Sequence, residues 1–356
     1  MKFDIEEEET REKKKTKKSN KIYLYLVGFF LLVFLILLIT YLILLSGNNT
    51  KKITPPAPTV VEEKNKITIY DEKSNDRPIA FMIDNNIGEA KHAGLQDSYL
   101  NYEIIVEGGL TRIMAIYKDK EVHLIGPVRS ARHYFLDYAV ESDAIYSHFG
   151  YSPQTKTDLK ELNVDNIDGM TDSEPYRRDE KSKSPHNVFT NISYISSYLS
   201  KKNYSDETSN WKLLNISADE VSIKGSDNSA TNISMTYSKN EYRSYSYDES
   251  NKYYLRSQNG SPHLDRLSGN QLHYKNIIIM KVENSTIDSY GRQTLNTTGS
   301  GSGYLITNGY YKKINWSKQT RISKTNYTYE DGSEIKINDG NTFIQIVPID
   351  SEITIR

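Results

Sequence analysis

The 356-residue chain contains no cysteine, which excludes disulfide staples, thiolate zinc sites, cysteine nucleophiles and a lipid carried on a cysteine side chain. It also lacks an excess of charge of either sign: 45 Lys and Arg stand against 46 Asp and Glu, a formal net charge of −1. A polycationic surface of the kind that drives nucleic-acid binding is absent from this balance, so no nucleic-acid partner is expected. Neither an H-E-x-x-H pair nor a glycine-rich loop followed by a Walker lysine occurs, which removes the usual signatures of zinc hydrolysis and P-loop chemistry. No metal and no cofactor are expected.

What is present first is one long apolar run. Residues 22–45 carry no charge and consist of Leu, Ile, Phe, Val and Tyr broken only by Gly28 and Thr40. A stretch of ~20 apolar residues crosses the ~30 Å hydrocarbon core of a bilayer, and Tyr23, Tyr25 and Tyr41 lie near its ends, where amphipathic rings favour the interface. A cleaved signal has a shorter apolar region closed by a small-residue cleavage site, which this run lacks. Arg11, Lys13, Lys14, Lys15, Lys17, Lys18 and Lys21 precede it, whereas only Lys51 and Lys52 follow closely. The positive-inside bias then predicts a single-pass cell-membrane protein with a cytoplasmic N-terminus and extracytoplasmic C-terminal domains. Residues 1–21 read as a disordered cytoplasmic tail. Residues 46–75 read as a Pro-rich linker, whose polar stretch from Gly47 to Lys66 is a semi-extended tether able to reach roughly 60 Å from the bilayer.

About 290 residues remain, more than one typical domain. Apolar runs at Ile79–Ile83, Tyr102–Val106 and Ile113–Tyr117 predict strands. Ala131, Tyr134, Phe135 and Tyr138 recur at helical spacing after Ser130, a plausible N-cap. Ser152-Pro153 predicts a helix start, and a third helix is expected over residues 191–201. After about residue 210 the texture turns to strands, with a hairpin expected between 242–247 and 253–257, and further strands at 277–282, 304–307, 310–316 and 343–347. The expected layout is an α/β N-terminal extracytoplasmic domain, residues 76–210, and a smaller mainly-β C-terminal domain, residues 211–356, preceded by one transmembrane helix.

The densest polar cluster is E-G-G-L-T-R from Glu107 to Arg112 together with G-P-V-R-S-A-R from Gly126 to Arg132. With Ser130 capping a helix, Arg129 and Arg132 would flank a helix N-terminus, where free N–H groups favour an anion. Two guanidiniums there could grip a phosphate or carboxylate, with Arg112 and Arg178 as further anion-binding candidates. Glu107 could orient the arginines or act as a base. Alternatively, Glu107 and the arginines form an ion-pair network that holds the turn. His148, His186 and Asp179 are candidates for acid, base or ligand roles on a loop rim, or are structural, hydrogen-bonded residues. T-T-G-S-G-S-G from Thr297 reads as a flexible hairpin connection. Tyr242, Tyr245 and Tyr247 could present a stacking platform for a glycan or partner, or pack on their own hairpin.

RPIAFMIDN from Arg77, the EGG-TR and GPVRSAR pair, DAIYSHFGYSPQ from Asp143 and RRDEKSKSPHNVF from Arg177 resemble the YerB-like family of bacterial lipoproteins. Gly301, Gly303, Trp316 and NDGNTFIQIVP from Asn338 resemble its smaller C-terminal domain. The resemblance implies an envelope address and a two-part layout, and it implies no reaction, since the family's domain is one of unknown function. Many relatives are held by a lipidated cysteine, which a transmembrane helix would replace here. Without a complete catalytic set, the expected role is non-enzymatic binding of a cell-wall polymer or an envelope-synthesis protein. The alternative is an enzyme acting on phosphorylated or polyprenyl-linked envelope precursors through the arginine-rich site.

Overall fold

A computed structural model describes residues 3–46 and 66–356 apart from 87, 89, 90 and 226, with the backbone alone for 3–22 and Ser46. It divides into two compact units, residues 1–64 and 65–356.

In the first unit a single helix, α1, runs from Phe3 to Ser46 and contains the 23-residue apolar stretch Tyr23–Leu45, of mean hydropathy 3.0. At 1.5 Å per residue that stretch is about 35 Å long, enough for a bilayer core. It is apolar all round, a pattern suited to an apolar solvent rather than to one packed face. Residues 3–21, expected as a disordered tail, continue the helix instead. Their Glu and Lys residues are good helix formers, and extending an existing helix avoids the nucleation cost.

Residues 47–65 of the expected tether lie outside the described residues. The rest of it is folded: Thr68 donates from its backbone N and Oγ1 to Asp339 Oδ2 at 2.8 and 2.6 Å. Tyr70 is buried edge-on against Trp211, with ring centroids 4.6 Å apart. The second unit therefore begins well before residue 76.

Its spine is a ten-stranded sheet built from β1 (Ile79–Asp84), β2 (Leu100–Ile105), β3 (Thr111–Tyr117), β4 (Ile145–His148) and β5 (Asn166–Asp168). The later chain supplies the other half. A second sheet contains β6 (Asn232–Ser238), β7 (Glu241–Asp248) and β8 (Tyr253–Gln258). The main sheet is then extended by β9 (Asn276–Val282), β10 (Gly299–Thr307), β11 (Tyr310–Lys318), β12 (Asn326–Tyr329) and β13 (Thr342–Pro348). The order across the main sheet is β12-β11-β10-β9-β13-β2-β3-β1-β4-β5. The last strand, β14 (Ile353–Ile355), returns to pair with β6.

The N-terminal part is α/β and the C-terminal part mainly β, and both join one sheet through the parallel pairing of β2 with β13. The change of texture near residue 210 is thus a change of composition within one compact unit, not a break between cores. Every residue of β1, β2, β3 and β13 is buried, which suits the nearly unbroken apolar run of β1 and means that Asn101, Glu103 and Gln345 are polar groups buried within the sheet. One face of the sheet packs against α2 (His133–Val140) through Tyr134, Phe135 and Tyr138. The other packs against α4 (Ile192–Lys202) through Ile195 and Leu199, and against the inner face of the second sheet through Met235, Tyr245 and Tyr254.

Helix α3 (Pro153–Glu161) starts as the sequence predicts, with Ser152 Oγ accepting from the backbone N of Thr155. In α4 the capping residue is Asn191, whose side chain accepts from Tyr194 N at 2.7 Å. The run from Thr297 is not a flexible connection, because Gly299–Thr307 is strand β10, paired along its whole length with β11. A Cβ on Gly303 would lie 2.1 Å from the carbonyl oxygen of Ile279, and one on Gly301 2.6 Å from the indole nitrogen of Trp316. These glycines serve close packing.

Candidate functional site

Strand directions gather the polar residues on one rim. β1 runs parallel to β4, β4 to β5 and β2 to β13, while β3 is antiparallel to both β1 and β2. The carboxyl ends of β1, β2, β4 and β5 therefore open on the same edge, the place where open α/β sheets usually present ligand-binding loops. β1 ends there on Asp84, and β3 begins there, placing Arg112 directly opposite Asp84 in register. Between β2 and β3 the Glu107–Gly109 turn needs φ of +69° and +73° at Gly108 and Gly109, values that glycine adopts without strain. The Gly126–Arg132 segment is strapped across the rim: Asp84 N donates to Pro127 O, Arg129 N to Met82 O and Ala131 N to Gly150 O, at 2.8, 2.8 and 2.9 Å.

Three guanidiniums and two carboxylates meet under this strap. Arg132 grips Glu107 with two hydrogen bonds, Nε to Oε1 at 2.6 Å and Nη2 to Oε2 at 2.9 Å. Burial pushes the Glu107 carboxyl up, but the Arg132 hydrogen bonds and charge outweigh it and hold the group below its usual range. The Asp84 carboxylate receives Nδ1–H of His186 on Oδ2, and Arg129 Nε stands 3.2 Å from the same oxygen. Arg112 is only 7 % exposed, yet its guanidinium donates to the carbonyl of Ser130 and forms no ion pair with a carboxylate among the described residues. Burial first, and then repulsion from Arg132, lowers its pKa to about 10.

The structure thus brings Glu107, Arg112, Arg129, Ser130 and Arg132 together, as the sequence suggests, and adds Asp84 and His186. Ser130 does not cap the helix. Its Oγ donates to Phe149 O at 3.0 Å, and α2 begins with Arg132 at the N-cap and no side-chain cap. Its contribution to the cluster is a backbone carbonyl.

The other candidates lie apart from it. His148 is buried, with Nδ1 2.9 Å from Gly150 O and Nε2 3.2 Å from Asn166 Oδ1, and burial pushes its pKa down. Asp179 is bound by Arg266 and Ser182, each at 2.6 Å, and Arg266 first among them holds its carboxyl at about 2. Arg178 donates to Asn187 Oδ1 at 2.9 Å and lies over Phe149. His148, His186 and Asp179 therefore do not converge. Nor do the tyrosines form one platform. Tyr245 is buried against Phe343 and its hydroxyl accepts from Gln345 Nε2 at 2.7 Å, while Tyr242 points to the opposite face of β7 and Tyr247 packs on Tyr254.

A second polar set lies beneath the rim, between the two sheets. Glu103 is fully buried and accepts from Arg243 Nε and Arg256 Nη2, both at 2.6 Å, and from Thr111 Oγ1 at 2.7 Å. Burial alone would raise this carboxyl; Arg243 and Arg256 overcome it and bring the pKa to about 2. From Arg256 the contacts pass to His263 Nδ1, from His263 Nε2 to His92 Nδ1 at 2.6 Å, and from His92 Nε2 to the carbonyl of Asp84. A guanidinium can only donate, so His263 accepts at Nδ1 and carries its proton on Nε2. His92 must then accept at Nδ1 and donate from Nε2, which fixes both tautomers. Burial pushes both histidines down, His92 to about 4, so both are neutral at pH 7.

None of Glu103, Arg243, Arg256, His92 and His263 stands out in the sequence as a site. The available signal was period two: Arg243 and Tyr245 on β7, and Tyr254 and Arg256 on β8, occupy inward positions, where a charge demands a buried partner.

Residues 66–205 match the family described as "Protein of unknown function (DUF3048) N-terminal domain", and residues 233–344 match its C-terminal domain. The chain is 29 % identical over 276 residues to YerB of Bacillus subtilis (strain 168), provisionally designated a lipoprotein, covering 76 % of this chain and 81 % of that one. The crystal structure of Bacillus subtilis YerB superposes with a TM-score of 0.70 and 29 % identity, covering 80 % of this chain and 96 % of that one.

Proposed function

We propose, for a chain that belongs to the DUF3048 family, that it is a membrane-anchored extracytoplasmic envelope protein whose folded unit binds an anionic group of a cell-wall polymer at the β1–β3 rim. The single observation behind this reading is Arg112. A guanidinium taken out of water without a counter-charge costs several kcal/mol, and folds usually offset that cost with a carboxylate. Here the two nearby carboxylates are already engaged by Arg132, Arg129 and His186. A phosphate or carboxylate from outside would supply the missing charge and accept from Arg112 and Arg129. The lipoprotein designation of the relative and the apolar helix α1 support the envelope address, and the lysine-rich block before α1 supports a cytoplasmic N-terminus.

Residues 65–356 form a compact unit with cores on both faces of their own sheet, so this portion alone is a suitable reagent. Calorimetric titration with inorganic phosphate and with a purified phosphodiester-rich wall polymer tests the reading. Both are expected to bind the wild type, and Arg112→Met or Arg129→Ala to weaken binding about 10- to 100-fold, the worth of one or two charge-assisted hydrogen bonds. If the folded wild type binds neither ligand, the proposal fails.

A further inference from the structure

We infer that the rim is a hydrolytic site for phosphodiesters, in which His186 is the general base and Asp84 its positioning residue; the inference rests on the anion-binding reading above. Three features carry it. The first is the dyad: Asp84 Oδ2 accepts from Nδ1 of His186, which fixes the imidazole so that Nε2 carries the lone pair. Nε2 has no hydrogen-bond partner among the described residues, although the side chain is 11 % exposed. The second is where the dyad sits. Arg129 Nε lies 3.2 Å from the same carboxylate oxygen, and its Nη1 is 3.4 Å from the carbonyl of Pro185, next to His186. Imidazole and guanidinium are thus held side by side, and Arg112 lies across the strand pair from Asp84. The third is the way Asp84 is held. Its carbonyl receives the Nε2 proton of His92 and its backbone N donates to Pro127 O, so the dyad's carboxylate is fixed from below as well as from the side.

The chemistry of this arrangement is in-line attack on phosphorus. Arg112 and Arg129 bind the non-bridging oxygens and stabilise the charge that grows on them. A water molecule gives one proton to His186 Nε2 as its oxygen forms the new P–O bond. The ester P–O bond on the opposite side of phosphorus breaks with its electron pair leaving on the alcohol oxygen, which takes a proton from solvent water, and His186 releases its own proton to solvent. The products are a phosphomonoester and an alcohol, and the imidazole returns to its neutral form. No oxidant, reductant or third reactant is needed.

The test uses bis(4-nitrophenyl) phosphate as substrate for the residue 65–356 unit, with inorganic phosphate binding measured on the same samples. The expected result is steady release of 4-nitrophenolate by the wild type and a loss of at least ~100-fold in His186→Gln, the scale of a general base. Phosphate affinity should be unchanged within about threefold, since the amide keeps the fold and the arginines stay in place. If the wild type binds phosphate but releases no nitrophenolate above the buffer rate, the hydrolytic inference is overturned and the binding proposal survives. Equal rates in wild type and His186→Gln also overturn it. If the wild type binds neither phosphate nor the wall polymer, both readings fall together.

Discussion

Asp84 and Arg112 face each other across the β1–β3 pair, on the same side of the sheet, and the ion pair that this register offers is not made. The carboxylate of Asp84 is taken by His186 and Arg129, and the guanidinium of Arg112 turns to the carbonyl of Ser130. Arg132 is committed to Glu107. The rim therefore holds one buried cation more than its anions neutralise, and most of its testable behaviour follows from that surplus.

Replacing Arg112 with Met should stabilise the protein and disable it at once. Removing a buried charge without a carboxylate partner is expected to raise stability by ~1 kcal/mol or more, seen as a higher melting temperature in phosphate-free buffer. Added phosphate should raise the melting temperature of the wild type and leave the variant unmoved. A variant that melts lower and still responds to phosphate would contradict the account of the site.

Acid should weaken the fold between about pH 6.5 and 4. In that window an unfolded chain protonates His92 and His263, whereas the fold keeps them neutral, His92 down to about 4. The unfolded state binds more protons there, so stability is full above about 6.5 and declines as pH falls, by up to about 3 kcal/mol for His92 alone. Urea unfolding at pH 7 and pH 5 should show the decline. His92→Gln should be less stable at pH 7 and flatter between the two; an unchanged slope would remove His92 as its source.

Glu103→Gln should be among the most damaging single changes in the chain. It leaves the fully buried Arg256 facing a neutral amide and leaves Arg243, also fully buried, with Glu241, 2.7 Å from its Nη1, as its remaining counter-charge. Breaking a buried pair from one side costs about 3–5 kcal/mol, measurable as a lower urea midpoint or a loss of soluble protein. A loss below about 1 kcal/mol would mean that water reaches the network.

Gly303→Ala should destabilise by at least ~2 kcal/mol, because its Cβ would meet the backbone of Ile279. Ser300→Ala, on the same strand, should be nearly neutral. Phosphate affinity should be unchanged in Ser300→Ala, because this Gly/Ser run is strand β10 and not an anion loop.

Much of the rim was legible because its residues are close in sequence. Glu107 and Arg112 sit on either side of a Gly-Gly turn, and Arg129 and Arg132 in one short segment, so the cluster could be read from two motifs. What joins the motifs could not. Asp84 reads as the end of an apolar run, and its link to His186 depends on how a later loop crosses the rim. The Glu103 network is built by residues of β2, β7 and β8, and nothing local distinguishes a buried Arg256 from a solvated one. Ser130 reads as a cap for a local reason, because a serine before an apolar period is a good one, but the helix begins two residues later, with Arg132 at the N-cap. The shared sheet was hidden as well, because β2 finds its parallel neighbour β13 near the far end of the chain.

That last pairing sets an order of events for a chain made from its N-terminus to its C-terminus. Synthesis proceeds from the N-terminus, so β1 to β5 emerge while the inner edge of β2 still has no neighbour. Leu100 to Ile104 remain an open seam until Thr342–Ile346 arrive to close it. Until then the emerging chain is an unfinished sheet, exposed to proteases and to sticking to its own copies. Its survival depends on one short segment, and a stop codon before Thr342 would leave a long polypeptide with its central seam unsewn.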